Sequence, residues 1–115
     1  MVRLQALIVA GALAGPTLAA ALEVAGLTYA DGKLDFTLRG SGTVTVSAQA
    51  DFKYLSNKTN EEALARAVSA PLRVKLGGQP TPVTVTFVPP GGVVSEVEVV
   101  VFVNGLEKAR QTFYF

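Results

Sequence analysis

The sequence predicts an all-β sandwich that follows an apolar N-terminal α-helix and contains one short internal helix. Two observations support this fold class. Residues 4–22 carry no charged side chain, which is typical of a long apolar helix. Beyond Gly26, hydrophobic residues alternate with polar ones, and turn signals recur about every 8 to 12 residues. We therefore expect an N-terminal apolar helix over residues 1–25 and a β domain over residues 26–115.

The composition excludes several classes of function. The 115 residues suffice for one small domain, and the net charge of +1 comes from charges spread singly along the chain, which gives no electrostatic attraction to nucleic acid. The absence of cysteine and histidine excludes disulfides, thiol nucleophiles and the most common general base. A single methionine, with few asparagines and glutamines, is typical of a protein from a thermophile.

The uncharged segment of residues 4–22 is long enough to cross a membrane. Nineteen residues in an α-helix span about 28 Å, close to the hydrocarbon thickness of a bilayer. The segment is rich in alanine, and Gly11 and Gly15 form a GxxxG motif, in which small side chains let helix backbones approach closely. We expect Gly11 and Gly15 to be helix-packing residues.

Three interpretations of this segment remain open. Arg3, the apolar run 4–15, Pro16 and the alanines at 19–21 fit a cleavable export signal. The segment also fits a membrane anchor, or a helix that leaves the membrane and packs with its copies in a filament core. The small side chains favour the filament core, because a lipid-facing anchor would be richer in leucine, isoleucine and phenylalanine.

The first part of the β domain is predicted to be a hairpin followed by a third strand. Residues 22–29 and 33–39 flank Asp31-Gly32, a two-residue hairpin signal. The next strand covers residues 43–50. Alternation places one set of side chains in the core: Leu34, Phe36, Leu38, Val44, Val46 and Ala48.

One helix is predicted inside the β domain, over residues 60–69. Thr59 and Glu62 have the spacing of a capping box, and Pro71 would end the helix. The residues expected on its buried stripe are Ala63, Leu64, Ala67 and Val68.

The rest of the chain is predicted to form four strands. Residues 72–76 and 83–88 form two of them, and Pro82 with Pro80 places the second at a sheet edge, since proline cannot donate a ladder hydrogen bond. Residues 93–103 and 106–115 form a hairpin through Asn104-Gly105, the preferred type I′ pair. Because residues 99–103 have no polar face, we expect both faces of that strand to be covered. About seven short strands predict a sandwich of immunoglobulin-like architecture.

No group of residues has the pattern of an active site or a metal site. Glu61 and Glu62, and likewise Glu96 and Glu98, are expected on the solvated surface, and no nucleophile with a base accompanies them. Three aspartates lack the ligand spacing of a calcium loop: Asp31, Asp35 and Asp51. We therefore expect no enzyme activity, no cofactor and no metal.

Asn57-Lys58-Thr59 is a sequon for N-glycosylation in a polar loop. In an exported protein of a host with the glycosylation machinery, Asn57 is the expected glycan site.

The whole chain resembles archaeal type IV pilins and the related archaellins. The resemblance rests on the apolar segment 1–22, which runs directly into a small cysteine-free β domain. It also rests on the residue pattern of 22–29, the alternation over 34–38 and the closing hairpin over 97–115. It implies a subunit whose helices bundle in the filament core and whose β domains form an outer, commonly glycosylated sheath used for adhesion or surface attachment. Gly11 and Gly15 would then carry the core contact.

The chain departs from the family pattern at its N-terminus. Residues 1–3 are not the charged leader of the family's precursors, and Gln5 stands where bacterial relatives have glutamate at the fifth mature position. Pro16 would kink the helix.

Two other functions fit the same sequence. One is an exported β-sandwich with a cleaved signal, which polymerises by donating a strand that begins near Leu22. The other is a monomeric binding module of the cell envelope. The expected partners of the favoured filament subunit are its own copies and, before assembly, the membrane, with no nucleic acid and with a glycan at Asn57. The expected location is extracellular, in a cell-surface filament.

Overall fold

The computed structural model describes residues 22–115, which form two packed antiparallel β-sheets. One sheet has the strand order β1-β2-β6, and the other has the order β4-β3-β7-β8, with β5 also paired to β3. The eight strands are β1 (Glu23–Ala30), β2 (Lys33–Arg39), β3 (Ser41–Ser56), β4 (Glu62–Val68), β5 (Leu72–Gly77), β6 (Thr81–Thr86), β7 (Gly92–Val103) and β8 (Leu106–Tyr114).

The connections lock the two sheets together. Strands β2 and β6 pair in one sheet, whereas the strands that follow them, β3 and β7, pair in the other. The chain therefore passes from the first sheet to the second after β2 and again after β6. Each sheet is built around a pair of strands that are distant in sequence, so neither sheet can form from one local segment.

The inner faces of the two sheets form one hydrophobic core. Its members come from alternate positions of the strands, as the period of two predicts. In the described residues this buried core runs from Leu34 to Val103. Its largest fully buried side chains include Phe52, Leu34, Leu38, Val46, Val97 and Val99.

Both hairpins predicted from turn signals are confirmed. Asp31 and Gly32 have φ values of 49° and 81°, and Asn104 and Gly105 have 52° and 81°, so both turns have the two positive φ angles of type I′. The second turn is also tied to β3. The N–H of Asn104 donates to the carbonyl of Thr45 at 2.8 Å, and its Oδ1 accepts the N–H of Thr45 at 2.9 Å.

Of two further strand predictions, one is confirmed and the other is met in part. Within residues 22–115, strand β6, which contains Pro82, pairs only with β2 and forms an edge of its sheet, as predicted. Val100 lies on the outer face of β7, opposite Gln49 and Arg110, yet only 1% of it is exposed. Phe102 on the same face is only partly buried, so the apolar run is covered on its inner face and incompletely on its outer face.

The predicted fold class is wrong in its helices. The described residues contain no helix, and the segment predicted as a helix over residues 60–69 forms β4, antiparallel to β3. Leu64 and Val68, which were predicted to be buried, are 80% and 67% exposed. The described part of the chain is therefore an all-β fold.

The sequence of β4 explains this outcome. Ala63, Ala65 and Ala67 alternate with larger side chains, so a strand can turn its small residues inward, and pairing with β3 overrides the helical propensity of alanine and leucine. The predicted capping box does not form. The hydroxyl of Ser56 instead accepts the backbone N–H groups of Lys58 and Thr59, at 3.2 and 3.4 Å, and shapes a turn.

The N-terminal helix predicted over residues 1–25 lies largely outside the described residues. The first residues that the structure describes are already extended, since Glu23, Val24 and Ala25 belong to β1 and pair with β2. Within residues 22–115, no helix is long and apolar enough to cross a membrane.

Ser69 fills a gap along one edge of β3. This strand is 16 residues long, and its edge is shared by β5, which pairs with residues 41–46, and β4, which pairs with residues 49–55. Between them, the N–H of Ala48 donates to Oγ of Ser69 at 2.9 Å, and the N–H of Ser69 donates to the carbonyl of Ala48 at 2.9 Å. Ser69 is only 6% exposed, so it replaces the missing strand neighbour.

We predict that Ser69→Ala lowers the free energy of unfolding by about 1 to 3 kcal/mol, because it leaves the buried N–H of Ala48 without an acceptor. Urea unfolding followed by circular dichroism measures the change. Ser47→Ala is the matched control, since its side chain lies on the outer face next to the same alanine and has no hydrogen-bond partner among the described residues. Equal stability of the two variants would contradict this role.

Candidate functional site

The outer face of the five-stranded sheet carries a concave surface. This groove encloses about 700 Å³ and is open to solvent along its length. Side chains from four neighbouring strands line it, so its shape depends on their register. The lining residues are Asp51, Phe52, Lys53, Leu64, Ala65, Arg66, Glu96, Glu98 and Thr112.

Ion pairs organise the charges of this outer face. Arg66 lies opposite Asp51 and binds it in a bidentate manner, with Nε and Nη2 at 2.7 and 3.3 Å from the two carboxylate oxygens. The hydrogen bond and the charge of Asp51 raise the pKa of Arg66. The Nζ of Lys53 lies 3.8 Å from the carboxylate of Glu62. These pairs are exposed, so they order the face more than they stabilise the fold.

Arg110 holds the carboxylates on the β8 side of this face. Its guanidinium lies 2.8 Å from Glu107 and 3.3 Å from Glu98. The hydrogen bond from Arg110 lowers the pKa of Glu107, and the two carboxylates raise the pKa of Arg110. Both carboxylates therefore already have a cationic partner in the same chain.

Two carboxylates of the groove lie close together on β7. Glu96 and Glu98 are two residues apart on β7, and they project from its outer face, as alternation predicts. The chain offers no histidine or cysteine to act with them. Among residues 22–115, no group of three or more side chains is arranged to hold a metal ion.

A second, smaller concave surface lies at one end of the sandwich. It encloses about 310 Å³ and is lined by apolar side chains, two prolines and one carboxylate. Its lining residues are Tyr29, Asp31, Gly32, Pro89, Pro90, Gly92, Val94 and Phe115.

Tyr29 is the centre of an aromatic cluster beneath this end pocket. Its ring centroid lies 6.2 Å from those of Phe52 and Phe113 and 6.1 Å from that of Phe115. The hydroxyl of Tyr29 accepts the N–H of Gly32 at 3.1 Å, which ties β1 to its own hairpin turn. Burial raises the pKa of Tyr29 above its ordinary value of 10.0.

The residues singled out in the sequence do not meet in one site. Asn57 is exposed in the turn between β3 and β4, where its N–H donates to the carbonyl of Gly91 at 3.2 Å. Gly11 and Gly15 lie outside the described residues. The three aspartates are separated as well: Asp31 is in the first hairpin turn, Asp35 accepts a hydrogen bond from Thr84, and Asp51 binds Arg66.

The groove itself was missed by sequence reasoning. Its β4 side, with Leu64 and Arg66, was assigned to a helix. The alternation of alanine with larger residues over 63–68 is the signal that indicates a strand there. The partners that complete the groove, however, are fixed by the register of β3 with β4 and β7, which no local pattern reports.

Comparison with known proteins gives little further information. No protein-family model matches the sequence, and no curated protein matches it. Among solved structures, the chain is similar to the alkylpurine DNA glycosylase AlkC of Pseudomonas fluorescens, bound to DNA containing an abasic site analog, with a TM-score of 0.46 and 16% identity. The similar region covers 83% of this chain and 30% of that chain. A likeness of this size carries no conclusion about function.

We predict that Tyr29 ionises above the ordinary tyrosine pKa of 10.0 in the folded chain, because burial raises its pKa. Because the pKa of Tyr29 is raised in the folded chain, its contribution to stability is fully present below about pH 10, the pKa of unfolded tyrosine, and is lost as the pH rises through the folded pKa. The chain has three tyrosines and no tryptophan, so absorbance at 295 nm follows the titration directly. The difference between the titration curves of the wild-type protein and Tyr29→Phe isolates the Tyr29 step, which should lie above pH 10. A difference step at or below pH 10 would contradict the assignment.

Proposed function

We propose that this chain is a structural subunit of an extracellular filament and not an enzyme. In this proposal the apolar segment 4–22 packs with its copies in the filament core, and the β domain forms the outer surface used for attachment. The resemblance to archaeal type IV pilins motivates the arrangement.

The observation that carries the proposal is a long uncharged stretch of sequence in addition to the residues that form the core of the β domain. The buried core of the described residues lies between Leu34 and Val103. The sequence adds nineteen uncharged residues before Glu23. Such a segment requires burial in a membrane or against other apolar segments, since the free energy of exposing it to water is large. A filament core of identical segments satisfies this requirement.

The ends of β3 give the domain a suitable orientation for such an assembly. The side chain of Leu22 packs beside Gly40, which precedes β3, whereas Asn57 follows the last residue of the same strand. A strand of 16 residues spans about 50 Å. The apolar segment and the sequon are therefore attached at opposite ends of the domain, so a glycan on Asn57 would point away from the core.

A second candidate is an exported β domain with a cleaved signal, acting as a strand-donating polymer or as a monomeric binding module. One observation favours it. The alanines at positions 19–21 fit a signal cleavage site, and β1 begins at Glu23, two residues after Ala21. Intact-mass measurement of the secreted protein separates the candidates, because only the filament proposal retains residues 4–22.

We predict that Gly11→Leu combined with Gly15→Leu abolishes filament assembly, because bulky side chains prevent the close backbone contact that holds apolar helices together. Electron micrographs of purified material provide the measurement. Ala6→Leu with Ala10→Leu is the matched control, since these residues have the same spacing but lie about 140° away on an ideal helix. Normal filaments from the glycine variant, or mature protein that starts near Leu22, would refute the filament proposal.

We predict that Asn57 carries a glycan in the native host, because its sequon lies in an exposed turn. Glycopeptide mass spectrometry tests this. Asn60 is an internal control, since it lies in the same turn but is followed by Glu61 and Glu62 and forms no sequon. Recovery of the Asn57 peptide only in its bare form would show that the site is not used.

A further inference from the structure

Among residues 22–115, β4 pairs with β3 along one edge and with no strand along the other, which we call its free edge. We propose that this free edge pairs in an antiparallel manner with β4 of a second copy of this chain. The two five-stranded sheets would then continue into one another through a two-fold axis. This contact is distinct from the packing of the N-terminal segments, because it uses residues of the β domain alone.

Strand β4 differs from the other edge strands in having no feature that prevents pairing. Edge strands usually carry prolines, bulges or clustered charge that block a further strand. Here β6 contains Pro82, β1 and β8 each carry a bulge, and β5 exposes two positive charges, Arg73 and Lys75. In contrast, β4 pairs with β3 over seven residues in regular register.

Alternate residues of β4 direct their backbone groups to the free edge. The N–H of Ser56 donates to the carbonyl of Glu61, and the N–H of Ser69 donates to the carbonyl of Ala48, both at 2.9 Å. The odd-numbered residues of β4 therefore bond to β3. Since the direction alternates along an antiparallel strand, the free edge offers the N–H and C=O groups of the even-numbered residues: Glu62, Leu64, Arg66 and Val68.

Pairing centred on Leu64 is self-complementary in charge. In this register Leu64 lies opposite Leu64 of the second copy, and Glu62 lies opposite Arg66 of the second copy, twice by symmetry. Within each copy Arg66 already binds Asp51, and Glu62 already faces Lys53. On each side of the two-fold axis, a row of alternating charges then crosses the interface. Asp51 and Arg66 come from one copy, and Glu62 and Lys53 follow from the other.

Neighbouring registers lose this complementarity. A shift of the ladder by two residues places Leu64 opposite Arg66 or opposite Glu62, and neither shift retains an ion pair between Glu62 and Arg66. The central register also covers the most exposed large side chain of β4, since Leu64 is 80% exposed in the single chain. The charge pattern and the apolar residue therefore select the same pairing.

The contact is small for a protein interface. Seven residues along one edge bury less than the 1,200 to 2,000 Å² of total surface that is typical of stable complexes, so the free pair is expected to be weak. Subunits held side by side by their N-terminal segments would form it readily, because tethering raises the effective concentration. The pairing would then link β domains laterally on the filament surface.

Disulfide trapping of single-cysteine variants tests the register in the full chain, kept in detergent solution. The chain has no cysteine of its own, so any link reports the introduced residue. Leu64→Cys should form a disulfide dimer with diamide, because directly opposed residues have Cα atoms about 5.5 Å apart. Val68→Cys is the matched control on the same face of β4. In the proposed register its two copies are about 27 Å apart, and it should give at least tenfold less dimer.

Two proline variants distinguish a loss of this contact between copies from a loss of folding stability. Leu64→Pro removes an N–H that points to the free edge, so it should weaken dimer formation at least tenfold in sedimentation experiments and leave the melting temperature nearly unchanged. Ala65→Pro removes an N–H that bonds to β3 and should lower the melting temperature.

Three results would overturn the proposal: no dimer from Leu64→Cys, equal dimer from Val68→Cys, or undiminished association of Leu64→Pro. The first is also the result expected if an N-terminal segment of another copy occupies this edge. None of them depends on filament assembly. Repeating the trapping with the Gly11→Leu and Gly15→Leu changes separates the two contacts. Without the tether the Leu64→Cys dimer should form more slowly, but it should still exceed the Val68→Cys dimer.

Discussion

The fold depends on the pairing of one long strand. Strand β3 bonds to β7 along one edge and to both β4 and β5 along the other. Three of the other four strands of its sheet therefore pair directly with β3. Every second residue of β3 from Val44 to Phe52 points inward and is buried in the core. Ser69 completes the edge at the junction of β4 and β5, where a strand neighbour is missing. Because β3 pairs with strands distant in sequence, the sheet, the core and the outer groove form together.

Local sequence patterns account for much of this architecture. Alternation places Leu34, Phe36 and Leu38 in the core. The Asp31-Gly32 turn and the Asn104-Gly105 turn each define a hairpin from local sequence alone. The same reasoning fails over residues 60–69. Alanine, leucine and glutamate there have high helical propensity, and Thr59 with Glu62 resembles a helix cap. The segment forms a strand because it pairs with an edge of β3. The local sequence does not show that this edge is available, since its position depends on the pairing of the whole sheet.

The candidate site could not be predicted to the same degree. Asp51, Arg66, Glu98 and Arg110 each look like isolated surface charges in the sequence. Their pairing depends on which residue of β3 lies opposite which residue of β4, and on the equivalent relation between β7 and β8. A slip of one residue would send these side chains to the opposite face. The aromatic cluster around Tyr29 likewise joins strands from both sheets, and no spacing along the chain indicates it.

The placement of Leu22 and Asn57 at opposite ends of β3 has a mechanical consequence. A tensile load applied between those ends runs parallel to the strands, whereas the hydrogen bonds that join the strands lie nearly perpendicular to them. The load enters through β1 at Leu22 and through β3 at Asn57, so it shears the ladders of both strands, and many bonds must rupture together before the domain extends. Had both points of attachment been at one end, the same load would unzip the sheet one bond at a time. A domain connected in this way resists pulling most strongly along its own long axis.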